Sequence, residues 1–580
     1  MMRSPRVLRS HILSLAVLAW LGICGMAISQ GVAVGPASSP VREQLRARIE
    51  AAKVPSTMSI HGESLYAWEL LVRFYTQRAF QPVWIDEDGV LPHTEMLVQT
   101  IRQSGQEGLK PGVYHLPTIA TLITELGQPG DRELSRTQRH RVALELLLTD
   151  AYLMYGAHAI AGQIDPKILG EVWFGDRAAM DLTTPLQQAL ETDSVAAFLS
   201  QLRPRHRGYA GLQKAWVYYQ AIAARGGWPI IADGPALQKG DYGARVAALR
   251  SRLLSTGDLE QGSTQSDGVF DAALEEALQK FQQRHGLAAD GVAGTSTLAA
   301  LNVPVTTRLR QIELNMERWR WLPPDLGDRY ILVNIANFAL DVVENGQSVM
   351  TMRVVAGKPT RRTPFFNAQM TYVVLSPHWN VPPTIAIQDK LPLIRRDPGY
   401  VARQNFKVFR DGPGGAIRVD PRAIDWSAVN ARNFPYRLRQ DPGPRNALGR
   451  VKFMFPNPYH VYLHDTPSRE LFGKVERAFS SGCIRLEKPI ELAEYLLQDD
   501  PRWSRQSILS SIEKGREQVV HLPDPIPVYL FYWTAWMSDE GVVHFRQDIY
   551  ERDHVLDEAL QTAGPSVPRE GTVEMVMTHP

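Results

Sequence analysis

A multidomain α+β fold is the class predicted by this sequence, and three observations predict it. The first is length with ordinary composition: 580 residues, 44% hydrophobic and 21% charged, suit three or four domains with normal cores. The second is a helical spacing of apolar residues from Ser64 to about residue 303. The third is a change to two-residue alternation from Tyr330 onward.

The N-terminus, "MMRSPRVLRSHILSLAVLAWLGICGMAISQG", has a basic start and an apolar run from Ile12 to about Ile28. This pattern predicts a signal peptide over 1–29, or an uncleaved membrane anchor of the same shape. Residues 30–63, rich at first in Gly, Ala, Ser and Pro, read as a linker. The chain has 63 basic residues, among them Arg3, Arg6 and Arg9, against 61 acidic ones. That balance argues against a nucleic-acid partner. An exported chain normally pairs its cysteines. Here there are two, Cys24 and Cys483. Loss or sequestration of Cys24 in the N-terminal segment leaves Cys483 a lone thiol, either a small buried hydrophobe or a reactive group.

Residues 64–233 read as a mostly helical domain. Tyr66, Leu70 and Phe74 are spaced for a helix, Thr94 to Gln103 resumes one, and "RHRVALELLLTDAYLMYGAHAIAG" is a long apolar helix. His93, His115, His140 and His158 show no ligand spacing, and no H-E-x-x-H pattern exists, so no metal and no cofactor are expected. Residues 234–303 form a three-helix unit, with apolar stripes Val246/Leu249/Leu253, Leu274/Leu278/Phe281 and Thr297/Leu298/Leu301. Gly- and Asp-rich turns separate them.

Residues 304–555 carry the β pattern. "YILVNIANFALDVVENGQSVMTMRVVAG" alternates around turns at Asn337 and Asn345-Gly346. "VKFMFPNPYHVYLHD" reads as a hairpin-like pair, Pro489 to Leu497 as a helix, and "IPVYLFYWTAWMSDEGVVHFRQDIY" as a late hairpin turning at Asp539–Gly541. Residues 386–450 are polar and rich in Arg, Asp, Pro and Gly, long for a loop, and predict an inserted cap. Residues 556–580 read as a tail.

His464 ends the alternating "HVYLH", and Cys483 follows a small-residue run, Ser480-Ser481-Gly482. A thiol nucleophile needs a base within reach and a group that orients the base. Protonated His464 or Arg485 could also lower the thiol's pKa. Gly482 lets the backbone come close to a carbonyl.

Two stretches resemble known families. Gly240-Asp241, Gly243, Val246, Leu249, Phe281-Gln282 and "GLAADGVAGTSTLAAL" resemble the three-helix peptidoglycan-binding domain. His464, Gly473, Ser480, Gly482, Cys483, Ile484 and Arg485 resemble the signature of the L,D-transpeptidase catalytic domain, as do "VVAGKPTRRTPFF" and "SPHWNVPPTIA" upstream. Ser481 stands where many members carry a second His, a variant typical of the large subgroup with a helical scaffold, a capping insertion and a wall-binding domain.

The resemblance implies acyl transfer in peptidoglycan. Cys483 would be the nucleophile and His464 the base, oriented by the backbone carbonyl of Asp465. Tyr462 and the amides of Gly482 and Cys483 would line the oxyanion site, with Ser480 and Ser481 in the turn. Arg485, Trp379 and Gly473 would border the substrate. Arg395, Arg396, Arg445 and Arg450 are candidates for pairing with the carboxylates of peptide stems. The partners implied are peptidoglycan stems and glycan, with the inner membrane if the first segment stays attached. The location implied is the periplasm. The alternatives are carboxypeptidase action, D-amino-acid exchange, attachment of a protein to the wall, or a non-catalytic wall-binding scaffold.

Overall fold

The computed structural model describes residues 39–562 and 564, except 52–57, 129–133, 170–180, 261, 263–267 and 414. The expected leader or anchor over 1–29, Cys24, and most of the expected tail lie outside them. Among the described residues no helix is long and apolar enough to cross a membrane. The chain is a multidomain α+β protein: a helical N-terminal part, a three-helix unit, and a β-rich part built around a mixed sheet.

The long apolar run forms one helix, Leu134–Ala161, buried on nearly every side from Val142 to Ala159. It is buried all round because other helices pack around it, and its buried polar residues include Glu145, Asp150 and His158. Helix Trp68–Gln77 buries Trp68, Leu71, Phe74 and Tyr75, while Tyr66 precedes it and is exposed. The buried stripe thus differs from the expected Tyr66/Leu70/Phe74. The buried Asp150 carboxylate accepts the N–H groups of Tyr66 and Ala67, just ahead of that helix.

The three-helix unit has helices Ala244–Ser255, Ala272–Arg284 and Thr295–Leu301. Its core includes Val246, Leu249, Leu253, Leu274, Leu278, Phe281 and Leu301. Helix Val305–Arg320 then runs between the helical and β-rich parts.

Strands of the β-rich part are β1 Arg329–Asn334, β2 Ala339–Glu344, β3 Gln347–Gly357 and β4 Phe366–Leu375. Next come β5 Trp379–Asn380, β6 Phe406–Gly412, β7 Gly415–Val419 and β8 Tyr436–Gln440. Then follow β9 Val451–Met454, β10 Leu463–His464, β11 Ala478–Ser480, β12 Ile484–Leu486 and β13 Gln518–Phe531. The main sheet has the order β11-β3-β12-β10-β9-β4-β13-β1-β2, and β2 also pairs with β3. That pairing closes eight strands on themselves and leaves no free edge among them. Asn345 and Gly346 both take positive φ, the two-residue turn that a right-twisted hairpin requires. The late hairpin pairs Ala535–Met537 with Val543–Phe545.

Residues 386–450, expected as a polar cap, contain more structure than their composition suggests. They supply most of a separate sheet, β5-β8-β6-β7. It has its own core, including Trp379, Ile394, Val408, Trp426 and Leu438. The sheet begins at Trp379, before the expected start of the cap.

Candidate active site

The site lies where β9, β10 and β12 run side by side. β10 is antiparallel to β9, with Lys452 opposite His464. It is parallel to β12, with His464 opposite Arg485. Leu463 and Ile484 are fully buried in the barrel. Strand alternation sends Tyr462 and His464 to the other face, where their rings meet edge to face at 5.7 Å.

His464 is buried, and its Nδ1 lies 2.5 Å from the Asp465 carbonyl oxygen. A carbonyl only accepts, so Nδ1 carries the proton and Nε2 is left as the acceptor. Burial first, then the charge of Arg485, pushes this imidazole down to about 3; Lys452 adds to the effect. His464 is therefore neutral at neutral pH. Cys483 is raised by burial, while Tyr462, Lys452 and Arg485 pull it back. The expected lowering of the thiol by protonated His464 does not occur. The resting pair is therefore a thiol and a neutral imidazole. The Tyr462 hydroxyl and its backbone N–H both reach Cys483. The Cys483 Sγ also lies 3.9 Å from the His460 carbonyl oxygen.

The turn before the thiol is fixed from three sides. Gly482 has φ +113°, which an L side chain rarely adopts. The Ser480 hydroxyl donates to the Cys483 carbonyl and accepts the Gly482 N–H. The Gly482 amide, expected to line an oxyanion site, is thus already engaged with the Ser480 hydroxyl. Thr363, fully buried, donates from its hydroxyl to the Gly482 carbonyl at 2.9 Å and accepts the Gly357 N–H. The Tyr550 hydroxyl donates to the Gly357 carbonyl, and the Tyr550 N–H goes to the Tyr532 hydroxyl. A Cβ at Gly357 would lie 2.2 Å from the Arg361 carbonyl oxygen, so only glycine fits.

Asp465 also serves through its carboxylate. It accepts the Arg450 N–H at 2.9 Å and pairs with the Arg450 and Arg469 side chains. Gly449 has φ +63°, and a Cβ there would lie 2.4 Å from the Asp465 Cγ. Arg450 is thus engaged with Asp465, and Arg445 donates to the Arg403 carbonyl. Ser481 is exposed and accepts from Arg361, which also holds Gln388 and Asp389 at the root of the cap.

The structure brings together Cys483, His464, Tyr462, Asp465, Ser480, Gly482 and Arg485. Trp379 is buried in the cap core, with Phe406 beside it and Lys390 over its ring. Gly473 ends an exposed turn, and a Cβ there would meet nothing within 4 Å. Sequence reasoning missed Thr363, Lys452 and Arg361. Thr363 lies in "RRTPFF", quoted for the resemblance but given no role. Lys452 is one alternation step inside "VKFMF", directly opposite His464. Among the described residues no group of His, Cys, Asp and Glu is arranged to hold a metal ion.

Comparison with known proteins finds matches to three family models along the chain. Residues 328–508 match the L,D-transpeptidase catalytic domain, 242–301 the "Putative peptidoglycan binding domain", and 69–215 the "Scaffold domain". A "Putative L,D-transpeptidase" of Haemophilus influenzae is 35% identical over 248 residues, which are 43% of this chain and 49% of that protein. The N-acetylmuramoyl-L-alanine amidase CwlM of Mycobacterium tuberculosis is 40% identical over 76 residues, 12% of this chain and 19% of that one. The chain therefore spans half or less of the length of these relatives. A crystal structure of an L,D-transpeptidase from Xylanimonas cellulosilytica aligns with 52% of this chain and 99% of its own, at 16% identity and a TM-score of 0.16. That score is too low to bear on the site.

Proposed function

We propose, from the premise that this chain carries an L,D-transpeptidase catalytic domain beside a peptidoglycan-binding domain and a scaffold domain, that it forms 3→3 cross-links in peptidoglycan. The observation that carries the reading is the His464 ring, locked by the Asp465 carbonyl with Nε2 free, in the same site as a thiol held by Tyr462. The thiol of Cys483 attacks the carbonyl of the third residue of a tetrapeptide donor stem. His464 Nε2 takes the thiol proton. The Tyr462 hydroxyl and the Cys483 N–H face the oxyanion. As the tetrahedral intermediate collapses, the C–N bond breaks and His464 gives its proton to the departing D-Ala amine. The side-chain amine of an acceptor stem then attacks the thioester, His464 takes its proton, and the cysteine leaves as thiol.

The same thioester hydrolysed by water is carboxypeptidase action, and its attack by a free D-amino acid is exchange. Attachment of a protein to the wall would use a protein amine in the same step. A non-catalytic scaffold has no need of the Cys483–His464 pair. The peptidoglycan-binding domain supports a location outside the cytoplasm, in the periplasm, with the N-terminal segment cleaved or serving as a tether.

Purified protein incubated with disaccharide-tetrapeptides should yield a cross-linked dimer by mass, with free D-Ala. Cys483→Ala should give neither and should stay folded, since it removes one sulfur from a turn of small residues. A carbapenem should add once per chain, on Cys483. Cross-linking by the Ala variant, or an adduct on another residue, would overturn the assignment.

A further inference from the structure

Lys452, His464 and Arg485 stand in register on three adjacent strands. Directly opposed residues project from one face of a sheet, so the imidazole lies between an ammonium and a guanidinium. Both cations are half-buried. Among the described residues neither has a carboxylate at ion-pair distance, because Asp465 is taken by Arg450 and Arg469. Cys483 acts on both through its field, and Glu517 on Lys452 and Glu470 on Arg485 likewise, none of them in an ion pair. The Lys452 Nζ lies 4.0 Å from the centroid of the Tyr462 ring, whose hydroxyl meets the thiol. Two half-buried cations without a counter-ion cost stability, and burial pulls Lys452 below its ordinary range.

We propose that Lys452 and Arg485 form a seat for the carboxylate of the residue that leaves the donor stem, with Lys452 setting specificity for a free C-terminal acid. The inference rests on the transpeptidase reading. The departing residue carries its amine and its carboxylate on one carbon. His464 must reach that amine to protonate it. The carboxylate then falls beside His464, where the two cations stand. Its arrival offsets both charges and strengthens His464 as a base at the moment a base is needed. An empty site keeps the imidazole a weak base, which limits idle reaction of the thiol.

The test compares acyl-enzyme formation from a tetrapeptide stem with that from the same stem amidated at its C-terminus. Wild type should favour the free acid by about tenfold or more in kcat/KM, the scale of one charge-assisted hydrogen bond. Lys452→Met should lose most of that preference by slowing the acid more than the amide, and Lys452→Arg should restore it. Lys452→Gln, measured beside it, keeps a folding defect in the Met variant from deciding the result. Equal rates for acid and amide in wild type would overturn the seat. So would a full preference kept by both neutral variants, or an equal slowing of both donors. No acyl-enzyme from wild type with either donor would instead remove the transpeptidase reading, and the seat with it.

Discussion

Neutral His464 between two cations has a cost that acid exposes. Its folded value, about 3, lies below the ordinary 6.5, so the unfolded chain binds the proton first. The stability it contributes is complete above pH about 6.5 and is lost as pH falls toward about 3. The slope is about 1.4 kcal/mol per pH unit. Thermal melts of wild type and His464→Gln between pH 7 and 4 should therefore converge as pH falls. Parallel curves would mean that the imidazole is not neutral in the folded state. Gly449 gives a second residue-scale test. Alanine there must hold φ near +63° with its Cβ against the Asp465 carboxylate. A loss of about 1–3 kcal/mol is expected, together with slower turnover, because the displaced Asp465 is also the residue whose carbonyl orients His464. Full activity in Gly449→Ala would show that this orientation is unimportant.

At the scale of elements, the cap and the turn before Cys483 share one side chain. Arg361 reaches Ser481 on one side and Gln388 and Asp389 on the other. The cap keeps its own core, so cutting this link should loosen its root without unfolding it. Looser closure admits water to the thioester. Arg361→Ala and Asp389→Ala should each raise the share of hydrolysed tripeptide over dimer. Combined, they should do little more than either alone, as residues in one network do. Additive effects would count against the link. Elements also divide what the sequence could reveal. Strands with a clean alternation and a turn pair, such as those around Asn345-Gly346, were legible, and so were the three stripes of the small helical unit. The cap was not. Its strands are short and their exposed positions carry Arg and Asp, so local pattern is weak, and the core that makes them strands gathers residues as distant as Trp379 and Leu448. Cys483 and His464 stood out as candidates through a motif. Thr363 and Lys452 were not, because their importance comes from cross-strand register and a carbonyl contact.

For the whole molecule, helix Val305–Arg320 ties the helical part to the β-rich part. Buried Arg320 pairs with Glu317 at 3.1 Å and donates to the Tyr209 hydroxyl and the Glu107 carbonyl. Glu317 also accepts the N–H groups of Gln163 and Ile164. Glu317→Ala strands a buried guanidinium, and about 3–5 kcal/mol should be lost. Calorimetry should show the melting of the whole chain shift downward, and an unchanged trace would mean that the junction bears little load.

The pairing order of the large sheet has a consequence for synthesis. β13 seats itself between β1 and β4, which emerge from the ribosome far earlier. Tyr550, whose hydroxyl helps to hold the backbone behind the nucleophile turn, emerges later still. A partly made or partly threaded chain therefore displays Cys483 before the hydrogen bonds behind its turn are complete.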